Sequence, residues 1–257
     1  MQAVIQLLLD RPQLTVVTAT NRLSRRLLHE YNQQQLSRGL SAWPTPDILS
    51  WSAWIQRHWQ QVSLLQDDSA LVSLSTSQSL HLWQEIIEAD SSELINPQAT
   101  AQKAQAARQQ IIDHALDLQD ENIRQWFVYD VDASQWLHWH ARYLQRLVDH
   151  QWLDLPAITQ TVIRSIADNV QPVDRSLCMA GFDALTPLQL QLQQWLIEHD
   201  YWIDAPQEQA GSDGHAVLLP ADDPSAELLQ AANWARQQFE HQWQEGDPPI
   251  GIIVPRL

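Results

Sequence analysis

The stretch Leu14–Tyr31 constrains the fold more than any other part of the chain. It begins with a β-branched apolar run over residues 14–17, which ends at the polar turn Thr18–Asn21. An amphipathic helix follows at once, because Leu23, Leu27 and Tyr31 recur at helical spacing while the charged residues lie off that face. A buried strand joined to a helix by a short turn is the first unit of an α/β domain, so we expect a parallel sheet.

The turn after this strand lies where nucleotide-binding α/β folds hold phosphates. Phosphates bind there because the unpaired N–H groups and the dipole of a helix N-terminus point at them. A working phosphate loop reads G-x-x-x-x-G-K-[ST]. Here the position is occupied by Thr18, Ala19, Thr20 and Asn21, with no glycine and no lysine. We therefore expect a degenerate phosphate loop, no ATP hydrolysis by this segment and no bound cofactor.

The remaining pattern predicts one α/β core interrupted by helices. Residues 1–60 are expected to form the first part of the core, 61–168 a helical insertion subdomain, and 169–257 the second part of the core. Strands are predicted at 175–180, 215–219 and 250–254, and Thr186 should cap a helix with Pro187 in its first turn. Because the chain stops on the apolar segment 250–254, we expect it to be a piece of a longer protein.

Three local predictions concern the middle of the chain. Asp47 should cap a helix that carries Trp51, Trp54 and Trp59, and Ser134 should cap another that runs to His150. No β-rich stretch is expected in the roughly 100 residues of the insertion, which should resemble a helical bundle.

Composition bounds the function. Hydrophobic content of 44% with 13 tryptophans excludes a disordered chain. The formal net charge of −16 speaks against a free-standing nucleic-acid module, although it permits a local basic groove. The single cysteine, Cys178, excludes an internal disulfide and fits a reducing, cytoplasmic compartment. No apolar run reaches the roughly 18 residues of a membrane span, so no membrane partner is expected.

The densest positive cluster opens the first predicted helix. Arg22, Arg25 and Arg26, with the neighbouring Asn21, are candidates for contacts to DNA phosphates beside the helix N-terminus. The alternative is a solvated helix face in which Arg26 pairs with Glu30, four residues on.

Other candidates have structural explanations. The segment Trp136–His140 suggests a metal or base-stacking patch, but its two histidines diverge on a helix, which favours packing. The acidic pairs at 67–68, 130/132 and 222–223 are of the kind that hold Mg²⁺, but two of them lie in loops before predicted helices, where capping explains them. The sequence therefore specifies no catalytic residue and no metal site.

Three stretches carry a resemblance to a known family. They are TVVTATNRLSRRLLHEYNQQQLSRGLSAWPTPDILSWSAWIQRHW at 15–59, MAGFDALTPLQLQLQQWL at 179–196, and DDPSAELLQAANWARQQFEHQW followed by IGIIVPRL from 222 to the end. Together they resemble the N-terminal part of AddB-type subunits of bacterial helicase–nucleases, and above all the probable DNA repair proteins related to exonuclease V subunits. The helical middle matches that family only in character.

The resemblance implies a P-loop NTPase-like, RecA/UvrD-type helicase fold whose motor is inactivated. It also implies a PD-(D/E)XK nuclease domain beyond residue 257, so that the full-length protein would be a DNA exonuclease subunit with DNA and possibly a helicase or nuclease subunit as partners. The first functional hypothesis is therefore a non-catalytic module that guides DNA to a downstream nuclease. The alternative is an acidic, Trp-rich scaffold that binds only protein, and an active P-loop NTPase is disfavoured by the missing glycine and lysine.

Overall fold

Strand β1 (Thr15–Thr18) lies at the centre of a three-stranded parallel sheet. The computed structural model describes residues 1–65, 71–90, 96–170, 172–206, 219–241 and 251–252. The chain divides into two units, Met1–Glu208 and Gln209–Leu257. The sheet belongs to the first unit.

The described elements of the first unit are helices joined by short strands. In chain order they are α1 (Gln2–Asp10), β1, α2 (Asn21–Ser37), β2 (Asp47–Ser50), α3 (Trp51–Leu65), β3 (Val72–Ser73), α4 (Thr76–Asp90), α5 (Pro97–Asp113), α6 (Glu121–Val128), α7 (Val131–Asp149), β4 (Trp152–Leu153), α8 (Leu155–Ala167), β5 (Leu177–Ala180) and α9 (Pro187–Glu198). The protein is thus α/β and mostly helical, with a small parallel sheet, as predicted.

The sheet has the strand order β2-β1-β5 and is covered by helices on both faces. In the parallel register, Val16 lies beside Cys178 and Val17 beside Met179. Because successive side chains alternate between faces, Val16 and Cys178 pack with α1 and α2, whereas Val17 and Met179 pack with α3, α8 and α9. Burial on both faces explains why every residue of β1 and β5 is buried.

A second hydrophobic cluster is formed by α4, α5 and α7, three helices that lie between β2 and β5 in the sequence. Its centre is Trp83, which is fully buried and stacks on Tyr143 with 4.3 Å between ring centroids. Ala101 and Ala104 on α5 let that helix approach the aromatic side chains closely. The helices predicted for this part of the chain are therefore present, and the proposed limits of the insertion at 61 and 168 stay a prediction.

Two of the local predictions, the helix caps at Asp47 and Ser134, were wrong. Asp47 begins strand β2 and caps no helix: it pairs in parallel with Thr15, whose hydroxyl donates to its carboxylate at 2.7 Å. A four-residue strand held by its neighbour leaves little periodicity in the sequence. Helix α7 begins at Val131 because the Asp130 carboxylate accepts the N–H of Ala133 at 2.8 Å, which places the cap four residues before Ser134.

Two very short strands lie within the predicted insertion, where no β-rich stretch was expected. β3 and β4 form a two-residue parallel pair, in which the N–H of Leu74 donates to the carbonyl of Leu153 at 2.7 Å. Two residues are too few to produce a strand pattern. The cap at Thr186, by contrast, is confirmed, as part of a capping box with Gln189.

The second unit is described over residues 219–241 and 251–252. Its helix α10 (Pro224–His241) begins where the Asp223 carboxylate accepts the N–H of Ala226 at 2.8 Å. Nearly all of the strand predicted at 215–219 and most of the strand predicted at 250–254 lie outside the described residues.

Candidate nucleic-acid interface

The turn between β1 and α2 is short and closed by its own hydrogen bonds. Only Ala19 and Thr20 separate the end of β1 from the start of α2. The N–H of Ala19 donates to the carbonyl of Ala180 on β5 at 3.2 Å, and the Thr18 hydroxyl donates to the carbonyl of Thr20 at 3.0 Å. Thr20 caps α2 by accepting the N–H of Leu23 at 3.2 Å. Two residues are too few to wrap a phosphate as the much longer Walker A loop does.

The side of the turn that faces β5 is apolar. Gly181, directly after β5, has a φ of +74°, and a Cβ atom at this position would overlap the side chain of Leu23. These two residues border a cavity of about 250 Å³ that is also lined by Met1, Val4 and Leu27. None of these side chains carries a positive charge of the kind that the lysine of a working phosphate loop supplies.

The predicted arginines lie together on the exposed face of α2. Arg22, Arg25 and Arg26 are spaced by three and four residues, so they share one side of the helix, opposite the buried Leu27 and Tyr31. Asn21, the first residue of α2, is exposed beside them. The structure thus brings all four candidate residues to the N-terminal half of one helix.

The three arginines differ in their partners. The Nε atom of Arg26 donates to Oε1 of Glu30 at 2.8 Å, as the alternative interpretation predicted. Within the described part of the chain, Arg22 and Arg25 form neither an ion pair nor a side-chain hydrogen bond. Two guanidinium groups beside the positive end of a helix dipole can attract phosphates without reading a base sequence.

Sequence reasoning missed a buried polar network in the helical cluster. Arg108 on α5 forms a bidentate ion pair with Asp154, the residue that caps α8: Nε donates to Oδ2 at 2.5 Å and Nη2 to Oδ1 at 2.9 Å. Both side chains are buried, with 6% and 1% exposed. One signal was available, because Arg108 shares the helical stripe of the buried Ala101, Ala104 and Ile111. Its partner, 46 residues further on, left no such signal.

The network continues through Tyr143, Ser79 and His140. The Tyr143 hydroxyl donates to Oδ2 of Asp154 at 3.1 Å and lies 2.8 Å from the Ser79 hydroxyl, while Nε2 of His140 lies 3.1 Å from Nη1 of Arg108. Burial and the nearby Arg108 charge lower the pKa of His140 to about 4, and burial raises the pKa of Tyr143. Because the Tyr143 hydroxyl donates its proton to Asp154, its oxygen is left to accept from the Ser79 hydroxyl, and the network joins side chains of α4, α5 and α7 to the residue that caps α8.

The Trp136–His140 segment packs as expected. Trp136, Trp139 and His140 are buried, and the ring of His140 stacks on Trp136 at 4.6 Å. His138 points away and lies 3.5 Å from the Asp90 carboxylate. Asp130 and Asp223 are helix caps, and the pair at 67–68 lies outside the described residues.

Neither a metal centre nor a membrane span is found in the described part of the chain. Among those residues, no three His, Cys, Asp or Glu side chains are grouped so that they could hold a metal ion. Within the same residues, no helix combines the length and apolar character needed to cross a bilayer.

No protein-family model matches the chain, and no curated protein sequence matches it significantly. The resemblance to AddB-type subunits therefore stays a prediction.

Proposed function

We propose that this chain is a non-catalytic, helicase-like module that binds DNA phosphates on helix α2. The observation that carries the proposal is the exposed arginine face of α2, where Arg22 and Arg25 lie beside the helix N-terminus without acidic partners among the described residues. Backbone contacts of this kind position DNA without selecting a sequence.

The P-loop NTPase-like fold belongs to the same proposal. Its support is a parallel sheet centred on β1, helices on both faces, and a helical cluster inserted between β2 and β5. The closed Ala19–Thr20 turn and the apolar surroundings of Leu23 and Gly181 argue that the nucleotide site of such a fold is lost. The module would then hold DNA without ATP.

The place of this module in a larger protein rests on the resemblance. An AddB-like DNA repair or recombination protein would carry its exonuclease domain beyond residue 257, and this segment would guide DNA towards it. A helicase or nuclease subunit would be a further partner, and the compartment would be the bacterial cytoplasm.

Fluorescence anisotropy of labelled DNA tests the proposal. Single-stranded and forked DNA are titrated with the 257-residue chain at low salt, and the titration is repeated with the triple variant Arg22→Ala/Arg25→Ala/Arg26→Ala. We expect the wild type to bind and the triple variant to bind at least about tenfold more weakly, since each phosphate contact contributes electrostatic free energy.

The matched control removes the same charge elsewhere. Arg11, Arg38 and Arg164 are all exposed, and their joint replacement by alanine should change DNA affinity much less. Equal losses in the two triple variants would mean that net charge alone governs binding, and α2 would then not be the DNA site. Binding of a fluorescent ATP analogue would contradict the loss of the nucleotide site.

The second candidate function is a protein-interaction scaffold without DNA binding. The formal net charge of −16 favours it, as does the exposure of large apolar side chains such as Trp126 and Tyr129. Absence of DNA binding at high protein concentration would favour this function over the first.

A further inference from the structure

The junction of α6 and α7 exposes four large apolar side chains next to one another in the sequence. Tyr129 is 88% exposed, Val131 84% and Trp126 72%, and Val128 is exposed with them. We call these four residues the aromatic corner. Single exposed apolar residues need no explanation, but four within six residues, two of them aromatic, mark a candidate interaction site.

The aromatic corner continues into a groove. A cavity of about 650 Å³ lies between α5 and the start of α7, and Val131 belongs to both the corner and the groove. The other apolar walls are Ala104 and Ala107 from α5 and Phe127, Trp136 and Trp139. An apolar groove beside a helix is the kind of surface that accepts an amphipathic helix.

The segment that carries the aromatic corner is strongly negative. Between residues 117 and 132 the acidic residues are Asp117, Asp120, Glu121, Asp130 and Asp132, against a single cation, Arg124. Lys103 adds one positive charge on the groove wall. Asp120 and Asp130 also cap α6 and α7 by accepting backbone N–H groups, and both residues are exposed. Such a surface disfavours DNA and anionic membranes as partners.

We propose that the aromatic corner and its groove form a docking site for a basic amphipathic helix of a partner protein. The apolar face of that helix fills the groove beside Trp136 and contacts Trp126 and Tyr129, whose rigid rings suit them as anchors. Its lysines and arginines lie against Glu121 and Asp132, which sets the orientation and speeds the encounter. None of these residues belongs to α2, so this site is independent of the proposed DNA contact.

A designed peptide provides a defined probe. A labelled peptide of about 18 residues, with leucines at helical spacing and lysines on the other face, is titrated with the chain and followed by anisotropy. Its twin carries glutamate at every lysine position. We expect saturable binding of the lysine peptide that weakens with added salt, and no binding of the glutamate peptide.

Two variants locate the binding. Trp126→Ser/Tyr129→Ser/Val131→Ser should weaken the lysine peptide at least about tenfold. Glu121→Gln/Asp132→Asn should weaken it less and flatten its salt dependence, because this variant removes two charges and no contact area. An unchanged circular dichroism spectrum checks that each variant is folded.

The matched control replaces three exposed apolar residues elsewhere. Leu36, Val170 and Leu190 are each about half exposed, and their joint replacement by serine should change the affinity less than about twofold. Equal binding of the two peptides, or unchanged binding by the aromatic-corner variant, would overturn the proposal. The proposal would also be overturned if the wild type dimerises, or binds DNA or anionic vesicles, and the aromatic-corner variant does not. The surface would then bind a different partner.

Discussion

Replacing Asp154 by asparagine tests whether the buried network holds the helical cluster together. The Asp154 carboxylate accepts four hydrogen bonds: two from Arg108, one from the Tyr143 hydroxyl at 3.1 Å and one from the N–H of Ala157 at 3.1 Å. Arg108 donates once to each oxygen, so each oxygen accepts two bonds. Whichever way the new amide is oriented, its NH₂ group faces two donors.

The expected cost follows from that geometry. The variant loses one charge-assisted bond, worth about 1.5–3 kcal/mol, and one neutral bond, worth about 1 kcal/mol. It also leaves the Arg108 charge buried without its counter-ion, and breaking such a pair costs about 3–5 kcal/mol in total. Because asparagine has the shape of aspartate, no cavity is added. We therefore expect Asp154→Asn to lower the free energy of unfolding by about 3–5 kcal/mol.

Urea unfolding followed by far-UV circular dichroism measures this change. The control is Asp149→Asn, since Asp149 is exposed and accepts only from Gln145 among the described residues, four positions earlier. It should cost less than about 0.5 kcal/mol. The double variant Arg108→Met/Asp154→Asn should lose less free energy of unfolding than the two single variants lose in sum, because Arg108→Met removes the charge that Asp154→Asn leaves unpaired. A loss below about 1 kcal/mol for Asp154→Asn, or strict additivity in the double variant, would refute the reasoning.

Three further variants test other parts of the fold. Gly181→Ala should destabilise the chain by about 1–3 kcal/mol, because the φ of Gly181 is positive and the new Cβ atom overlaps Leu23. In a thermal melt, the double variant Gly181→Ala/Leu23→Ala should recover part of that loss, because it removes the overlap. The pKa of His140 is about 4 in the folded state and 6.5 in the unfolded state, so the unfolded state binds more protons between these two pH values. The free energy of unfolding should therefore fall by on the order of 3 kcal/mol as the pH drops from 6.5 to 4. His140→Gln, which keeps an acceptor for Arg108, should flatten urea-unfolding stability across that pH window, and an unchanged slope would contradict the burial argument. Thr186→Ala should cost about 1 kcal/mol in the same urea assay through loss of the helix cap, whereas no change would mean that the cap is replaced by solvent.

Local signals predicted the elements that the sequence itself determines. The strand–turn–helix at 14–31, the buried strand Leu177–Ala180 and the Thr186 cap depend on residues close in the chain, and each is present. Strand β2 was missed because its identity depends on pairing with β1. The pair β3–β4 was missed for the same reason, since Val72 and Trp152 are far apart in the sequence.

The candidate site also combines features that nearby residues determine with features that depend on distant parts of the chain. The arginine face of α2 could be predicted because Arg22, Arg25 and Arg26 lie within two helical turns. The apolar contact between Leu23 and Gly181 could not, because it depends on how β5 lies beside β1. The ion pair of Arg108 with Asp154 joins two helices, and only the odd arginine in an apolar stripe hinted at it.

The salt dependence of DNA affinity tests the central claim most directly. Anisotropy titrations of single-stranded DNA at several salt concentrations give the slope of log K against log salt concentration for the wild type and for Arg22→Ala/Arg25→Ala/Arg26→Ala. Each phosphate contact contributes about 0.7 to that slope on a single strand, so loss of two or three contacts should make it shallower by about 1.4–2. Equal slopes for the two proteins, or no DNA binding by the wild type at low salt, would contradict the claim that α2 holds DNA.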